Sequence, residues 1–313
     1  MPELSDAAAI ALNSPSSLDA AVTLSKAAGD PLRAWVLRVL ARDSYGVGEL
    51  CTLFATGQPA MSHHLKILRD AGLVSARREG NSVFYRRTVH PEGSLAAVLL
   101  EKLDTTPIPR DLGRRIADVH QERNARSAEF FARNADGIST QQAQICEPRV
   151  YAEVVLELVD AALAEGLNPG RVLEVGPGSG ILLAGLADRF RQAEGVDNAR
   201  PRIEATRSAL GNLTNAHLRH ADFMKLPPRR RYDALVAAMV LHHQASPAAF
   251  IERAAQLLQP AGALLLVELC RHDQHWAGEA CGDLWLGFEP EMLLDWCTSA
   301  GFEAVAAQYL AQK

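Results

Sequence analysis

The sequence predicts two domains of different class: a mainly helical N-terminal domain ending in a β hairpin, and a C-terminal α/β domain on a doubly wound parallel sheet. Three observations predict this. The length, 313 residues, suits about two domains of ~100–200 residues each. Residues 18–90 place apolar side chains at helical spacing and finish in two short arms around Glu79-Gly80-Asn81. From Arg171 onward short apolar runs alternate with helical stretches, and the first run leads into a glycine-rich turn.

Composition narrows the class further. Hydrophobic residues make up 48% and charged residues 22%, which excludes a largely disordered chain or a coiled-coil rod. No apolar stretch approaches the ~18–20 residues that a membrane span needs, so no membrane partner is expected. Met1 to Ala20 lacks the basic start and apolar run of a secretory signal. The five cysteines (Cys51, Cys146, Cys270, Cys281, Cys297) are scattered and odd in number, which predicts reduced thiols in a cytoplasmic protein. The net charge of −5 hides an asymmetry. Between Gln58 and His90, six basic residues face two acidic ones, a local net of +4 in an otherwise acidic chain.

The elements follow in order. Residues 1–17 are rich in Ala, Ser and Pro and are expected to be a loose tail. A helix is expected over Leu18–Ala28. Asp30-Pro31 then reads as an N-cap followed by proline in the first turn, with Leu32, Val36, Val39 and Leu40 at helical spacing. A short helix, Val47 to Ala55, turns Leu50, Leu53 and Phe54 inward, and Thr56-Gly57 breaks it. The next helix, Gln58 to Ala71, puts Met61, Leu65 and Leu68 on one face and Ser62, His63, Lys66 and Arg69 mainly on the other. Two helices joined by a tight turn, followed by a hairpin with arginines on both arms, make a winged helix-turn-helix. Gln58, Ser62, His63 and Lys66 are the candidates for the major groove, with Arg77, Arg78 and Arg86 for phosphates or a minor groove.

The run Gln58-Pro59-Ala60-Met61-Ser62-His63-His64-Leu65-Lys66-Ile67-Leu68-Arg69-Asp70-Ala71-Gly72-Leu73-Val74 resembles the recognition-helix signature of ArsR/SmtB-type repressors, and the likeness extends from Asp30 to Arg87. It implies a homodimer on a two-fold operator in double-stranded DNA, joined through helices near Leu18–Ala28 and Leu95–Leu103. Many such repressors sense metals, and here the sequence departs from them. Their Cys-x-Cys becomes Cys51-Thr52-Leu53, and Asp118-Val119-His120 lacks the histidine that completes the other metal motif. Cys51 is therefore expected as a buried small residue, Asp118 and His120 as helix surface, and no metal is expected.

Thr105–Pro109 reads as a linker within a connection spanning 105–143, and Arg110–Arg133 as a charged helix. The second domain is expected over 144–313. Strand-like runs fall at Val172–Val175, Gln192–Val196, Ala216–His220, Tyr232–Ala238, Gly262–Leu269 and Phe302–Tyr309, with the helix Ile181–Phe190 after the first. Glu174 sits at the end of the first strand, and Gly176, Gly178 and Gly180 follow in Glu-x-Gly-x-Gly-x-Gly spacing. Glycines let the backbone approach a nucleoside. A carboxylate ending the second strand, Asp197, can accept hydrogen bonds from both ribose hydroxyls, and Asp222 after the third can hold an adenine amino group. Asn198 and Phe223 flank them.

That spacing, with Gly195-Val196-Asp197, Ala221-Asp222-Phe223 and Leu258-Gln259-Pro260-Ala261-Gly262, resembles the Rossmann-like class I methyltransferases, and implies S-adenosylmethionine (SAM) or S-adenosylhomocysteine (SAH) as ligand. Those domains end in a sixth and seventh strand, and here the last strand is expected to be missing or severely shortened. His242-His243 and His272-Asp273, near His275, are expected to converge on the cleft mouth. His242, His272 and Asp273 are the catalytic candidates, with loop packing or ligand contact as the alternative role; four histidines and an acid could form a metal site, but their spacings match no established ligand pattern, so no metal is expected here either. No cysteine pair supports arsenical chemistry at Cys270, Cys281 and Cys297.

The two halves together resemble ArsR-type regulators fused to a methyltransferase-like domain, a subset of which respond to SAH. This implies a dimeric repressor whose cofactor domain senses SAH or SAM. A working small-molecule methyltransferase that also binds DNA, and a cofactor fold kept only as a dimerisation scaffold, are the competing expectations.

Overall fold

The computed structural model describes residues 17–79, 82–133, 147–211, 213–272, 274, 282–303 and 305–310. The chain divides into two compact units, residues 1–119 and 120–313. No helix among the described residues is long and apolar enough to cross a membrane.

The first unit holds helices α1 (Ser17–Ala28), α2 (Pro31–Val39), α3 (Val47–Phe54), α4 (Gln58–Asp70) and α5 (Leu95–Asp104), with strands β1 (Tyr45–Gly46), β2 (Val74–Glu79) and β3 (Ser82–Arg87). Asp30 caps α2 as expected, its carboxylate accepting from the Arg33 amide at 3.0 Å. Ala55 adopts the left-handed region and closes α3. Met61, Leu65 and Leu68 of α4 are fully buried against Val36, Leu37, Leu50, Leu53 and Leu73. The hairpin is three-stranded, in the order β1-β3-β2, because Tyr45 and Gly46 pair with Tyr85 and Phe84. Strand β1 is invisible at the level of residue pattern, since two residues have no periodicity to read. Cys51 is half-buried rather than buried, on the edge of this core.

Helix α6 (Arg110–Arg133) forms where the charged stretch predicts it; Leu112 and Val119 belong to the core of the first unit. The second unit takes in the C-terminal part of α6 and then α7 (Pro148–Ala164), a helix with no counterpart among the expected elements. It continues β4 (Arg171–Val175), α8 (Ile181–Ala187), β5 (Gln192–Asp197), α9 (Arg200–Leu210), β6 (Ala216–His220), β7 (Tyr232–Ala238), α10 (Pro247–Leu257), β8 (Leu258–Val267) and α11 (Pro290–Ser299). The five strands are all parallel, in the order β6-β5-β4-β7-β8. Two apolar layers cover the sheet. One is built on Val155, Val159, Leu183 and Leu186, the other on Leu235, Phe250, Ile251, Trp285 and Phe288.

The expected sixth strand is not there. Residues 302–303 and 305–310 carry no strand and are mostly exposed. An extended segment becomes a strand only by pairing its backbone, and no described strand lies alongside this one. The fifth strand also starts earlier than expected, at Leu258, with a register shift before Ala263 and Ala261 in the left-handed region.

Candidate functional site

The order of the strands reverses between β4 and β7, and the carboxyl ends of these two strands define the site. After β4 the chain enters Gly176-Pro177-Gly178-Ser179-Gly180, with all three glycines at positive φ. At Gly176 (φ 68°) a Cβ would lie 2.9 Å from Val240 Cγ2, so only glycine lets the turn sit against the end of β7. The Gly176 amide donates to Val196 O at 2.8 Å, which ties the turn to β5. Thr206 of α9, fully buried, donates its hydroxyl to Gly178 O at 2.7 Å. Sequence reasoning missed Thr206, because one threonine inside a helix carries no signal of what it reaches.

Glu174 lies beneath this turn with 3% of its surface exposed. Its Oε2 is buried with no hydrogen-bond partner. Burial pushes the carboxyl up to about 8. Asp197 ends β5, also buried, and Oδ1 accepts from the Ala199 amide at 2.7 Å. Burial raises its carboxyl, opposed by backbone hydrogen bonds and by the charge of Arg202. Asn198 is exposed, and its carbonyl lies 3.0 Å from His220 Nε2. Asp222 caps a short 3-10 turn, accepting from Met224 N at 2.9 Å. The Phe223 ring packs on Phe250 with centroids 4.3 Å apart, inside the core rather than towards the turn.

Across the switch point, Met239 takes positive φ (58°), a strained conformation for an unbranched non-glycine residue, and starts the loop that carries His242 and His243. Both histidines are buried. Glu268, at the end of β8, accepts from the Val240 amide at 2.8 Å and from the Leu241 amide, and its other oxygen lies 2.7 Å from His242 Nδ1. Burial pulls His242 down, but the charges of Glu268 and Asp283 outweigh it and raise it above the ordinary value. His243 is driven well below its ordinary value by burial, reinforced by the charges of His242 and Arg202. Arg202 thus acts on both Asp197 and His243. The expected convergence holds for His242 and His243 but not for His272, whose ring accepts from the Gln274 amide at 3.2 Å in its own loop. Asp273 and His275 lie outside the described residues. Beside His242 and His243 stand Glu268 and Asp283, two acids that no local pattern pairs with the histidines.

In the first unit, Gln58, Ser62, His63 and Lys66 are all exposed on α4, opposite its buried face. On the hairpin, Ser75 pairs with Arg86 and Arg77 with Phe84. Arg77 and Arg86 therefore share one face of the sheet, while Ala76, Arg78, Val83 and Tyr85 share the other. Ala76, Val83 and Tyr85 cover the core from that side, so the three arginines do not form one cluster. Arg87 is held by Asp104 through two hydrogen bonds of 2.6 and 3.0 Å.

Comparison with known proteins bears on both units. A methyltransferase-domain family model matches residues 147–307, just over half of the chain. The chain belongs to the methyltransferase-domain family. A second family model, bacterial regulatory protein, arsR family, matches residues 30–76, so an arsR-family helix-turn-helix domain precedes the methyltransferase domain. An uncharacterised HTH-type transcriptional regulator of Methanocaldococcus jannaschii is 44% identical over 66 residues, 21% of this chain and 74% of that protein. The HTH-type transcriptional repressor SmtB of Mycobacterium tuberculosis is 38% identical over 84 residues, 27% of this chain and 60% of SmtB. Among solved structures, the N-methyltransferase NodS of Bradyrhizobium japonicum, in complex with SAH, is 16% identical with a TM-score of 0.44, covering 56% of this chain and 85% of NodS.

The methyltransferase domain has the fittings that a SAM or SAH ligand needs. Glu174 Oε2 is an unmet acceptor suited to an ammonium group, the Gly176 turn leaves backbone room, and Asp197 ends the neighbouring strand.

Proposed function

We propose that this protein is a DNA-binding transcriptional repressor whose methyltransferase domain binds SAH or SAM and thereby modulates operator binding. The observation that carries the proposal is the pairing of one exposed polar helix face with one buried, unsatisfied carboxylate. Gln58, Ser62, His63 and Lys66 stand outward on α4 for base edges; Arg77 and Arg86, on one face of the hairpin, and Arg78, on the other, are the residues proposed for phosphates or a minor groove. In the other unit, Glu174, Gly176, Gly178, Gly180 and Asp197 hold the ligand, with Asn198, Asp222 and Phe223 bordering the nucleoside. Glu174 meets the ammonium of the amino-acid moiety, and Asp197 accepts from the ribose hydroxyls. When bound, SAM would supply an electrophilic methyl group; SAH would not, so SAH acts only through binding.

Coupling follows from linkage. A ligand that favours the arrangement unable to span two half-sites lowers operator affinity, and a 100-fold change needs about 2.7 kcal/mol of differential binding. The homodimer that places two recognition helices on one operator belongs to this proposal. Calorimetric titration of the full chain with SAH and with SAM, each repeated with operator duplex present, tests it. One ligand binding at micromolar affinity and more weakly on DNA supports the reading. Equal affinities with and without DNA would favour a methyltransferase uncoupled from its DNA-binding domain.

A further inference from the structure

We infer that His242, His243 and Asp283 form a binding site for one divalent transition-metal ion at the switch-point end of the parallel sheet. The three side chains each offer a ligand atom, and these atoms all lie within 4.8 Å of one another in a buried cluster. The backbone builds the cluster. The amides of Leu284 and Trp285 both donate to His242 O, at 2.9 and 3.1 Å, and so clip Asp283 beside the 3-10 turn Leu241–His243. Asp283 Oδ1 then lies 3.8 Å from His242 Nε2 and 3.6 Å from His243 Nδ1, which also donates to Gly282 O at 3.3 Å, so an ion bound through this nitrogen would displace that long hydrogen bond. Metal–ligand bonds of ~2.0–2.2 Å put neighbouring ligand atoms roughly 3–3.6 Å apart, so a small contraction seats an ion.

Two further observations point to a cation. The Asp283 side chain is 1% exposed, yet neither of its oxygens has a hydrogen-bond partner. A buried carboxylate left this way is costly unless a cation meets it. His242 is also presented as a ligand, because Glu268 holds Nδ1 at 2.7 Å and leaves Nε2 towards Asp283. A carboxylate behind a histidine is the usual support of a metal-bound imidazole. Two imidazoles and one carboxylate suit zinc or ferrous iron better than magnesium or calcium. The inference stands apart from the proposed repressor role, since it concerns residues outside the glycine turn.

The test is titration of the chelator-treated full chain with Co2+, followed by displacement with Zn2+. One Co2+ per chain is expected, with visible bands of nitrogen and oxygen ligation and no thiolate charge-transfer band. Asp283→Asn removes a buried charge and keeps the shape, so it is the variant expected to fold; it should weaken Co2+ binding at least tenfold. Glu268→Gln should weaken it about tenfold by loosening His242. Circular dichroism and urea melts of the same variants report whether the fold persists. No Co2+ binding below millimolar, a thiolate band, or an affinity unchanged in Asp283→Asn overturns the inference.

Discussion

Replacing Glu174 by glutamine should change the pH dependence of stability markedly. The carboxyl, ordinarily near 4.5, is pushed up to about 8 by burial alone. Its folded-state value lies above its unfolded value, so it favours the folded state fully below pH 4.5, and that contribution is lost as pH rises towards 8. At 1.36 kcal/mol for each pH unit, the swing is about 5 kcal/mol. Glutamine has nearly the same shape and no charge to bury. The variant should therefore gain on the wild type steadily from pH 4.5 to 8, while the other titrating groups cancel in the difference. With a urea slope of ~2–3 kcal/mol per molar, the two unfolding midpoints should separate by about 2 M between those pH values. Urea melts of both proteins without ligand, followed by circular dichroism at pH 5, 6.5 and 8, measure this. A midpoint difference independent of pH would refute the reasoning. The same variant should bind SAH about 10–100-fold more weakly, as a charge-assisted hydrogen bond is lost.

Other substitutions separate the two sites. Asp197→Ala should lower SAH affinity about 10–100-fold in calorimetry by removing the acceptor for the ribose hydroxyls. Lys66→Ala should weaken operator binding and reduce the slope of log affinity against log salt by about one, whereas Arg87→Ala should leave that slope unchanged, because Asp104 already holds Arg87. Gly176→Ala should lower stability by about 1–3 kcal/mol in urea melts and depress SAH affinity, since the added Cβ meets Val240 and positive φ disfavours alanine.

Periodicity made most of the architecture legible. The buried Met61, Leu65 and Leu68 and the outward Ser62, His63 and Lys66 follow from helical spacing alone, and the strand Arg171–Val175 leads into the glycine turn as its residues require. What escaped the sequence is what depends on distant backbone. Glu268 reaches His242 across 26 positions, and Asp283 reaches His243 across 40, with no local pattern to announce either pair. The hairpin arginines looked like one group because charge was counted along the chain, whereas strand alternation sends Arg78 to the other face. The segment after Phe302 carries apolar Val305, Tyr309 and Leu310, but scattered apolar residues do not supply a pairing partner.

The central claim is that ligand in the methyltransferase domain is felt at the DNA. Fluorescence anisotropy of a labelled operator, titrated with the full chain at fixed salt with and without saturating SAH, tests it most directly. The account predicts an operator affinity at least tenfold weaker with SAH, and no such change in Asp197→Ala. Superimposable curves for wild-type protein already saturated with SAH would contradict it.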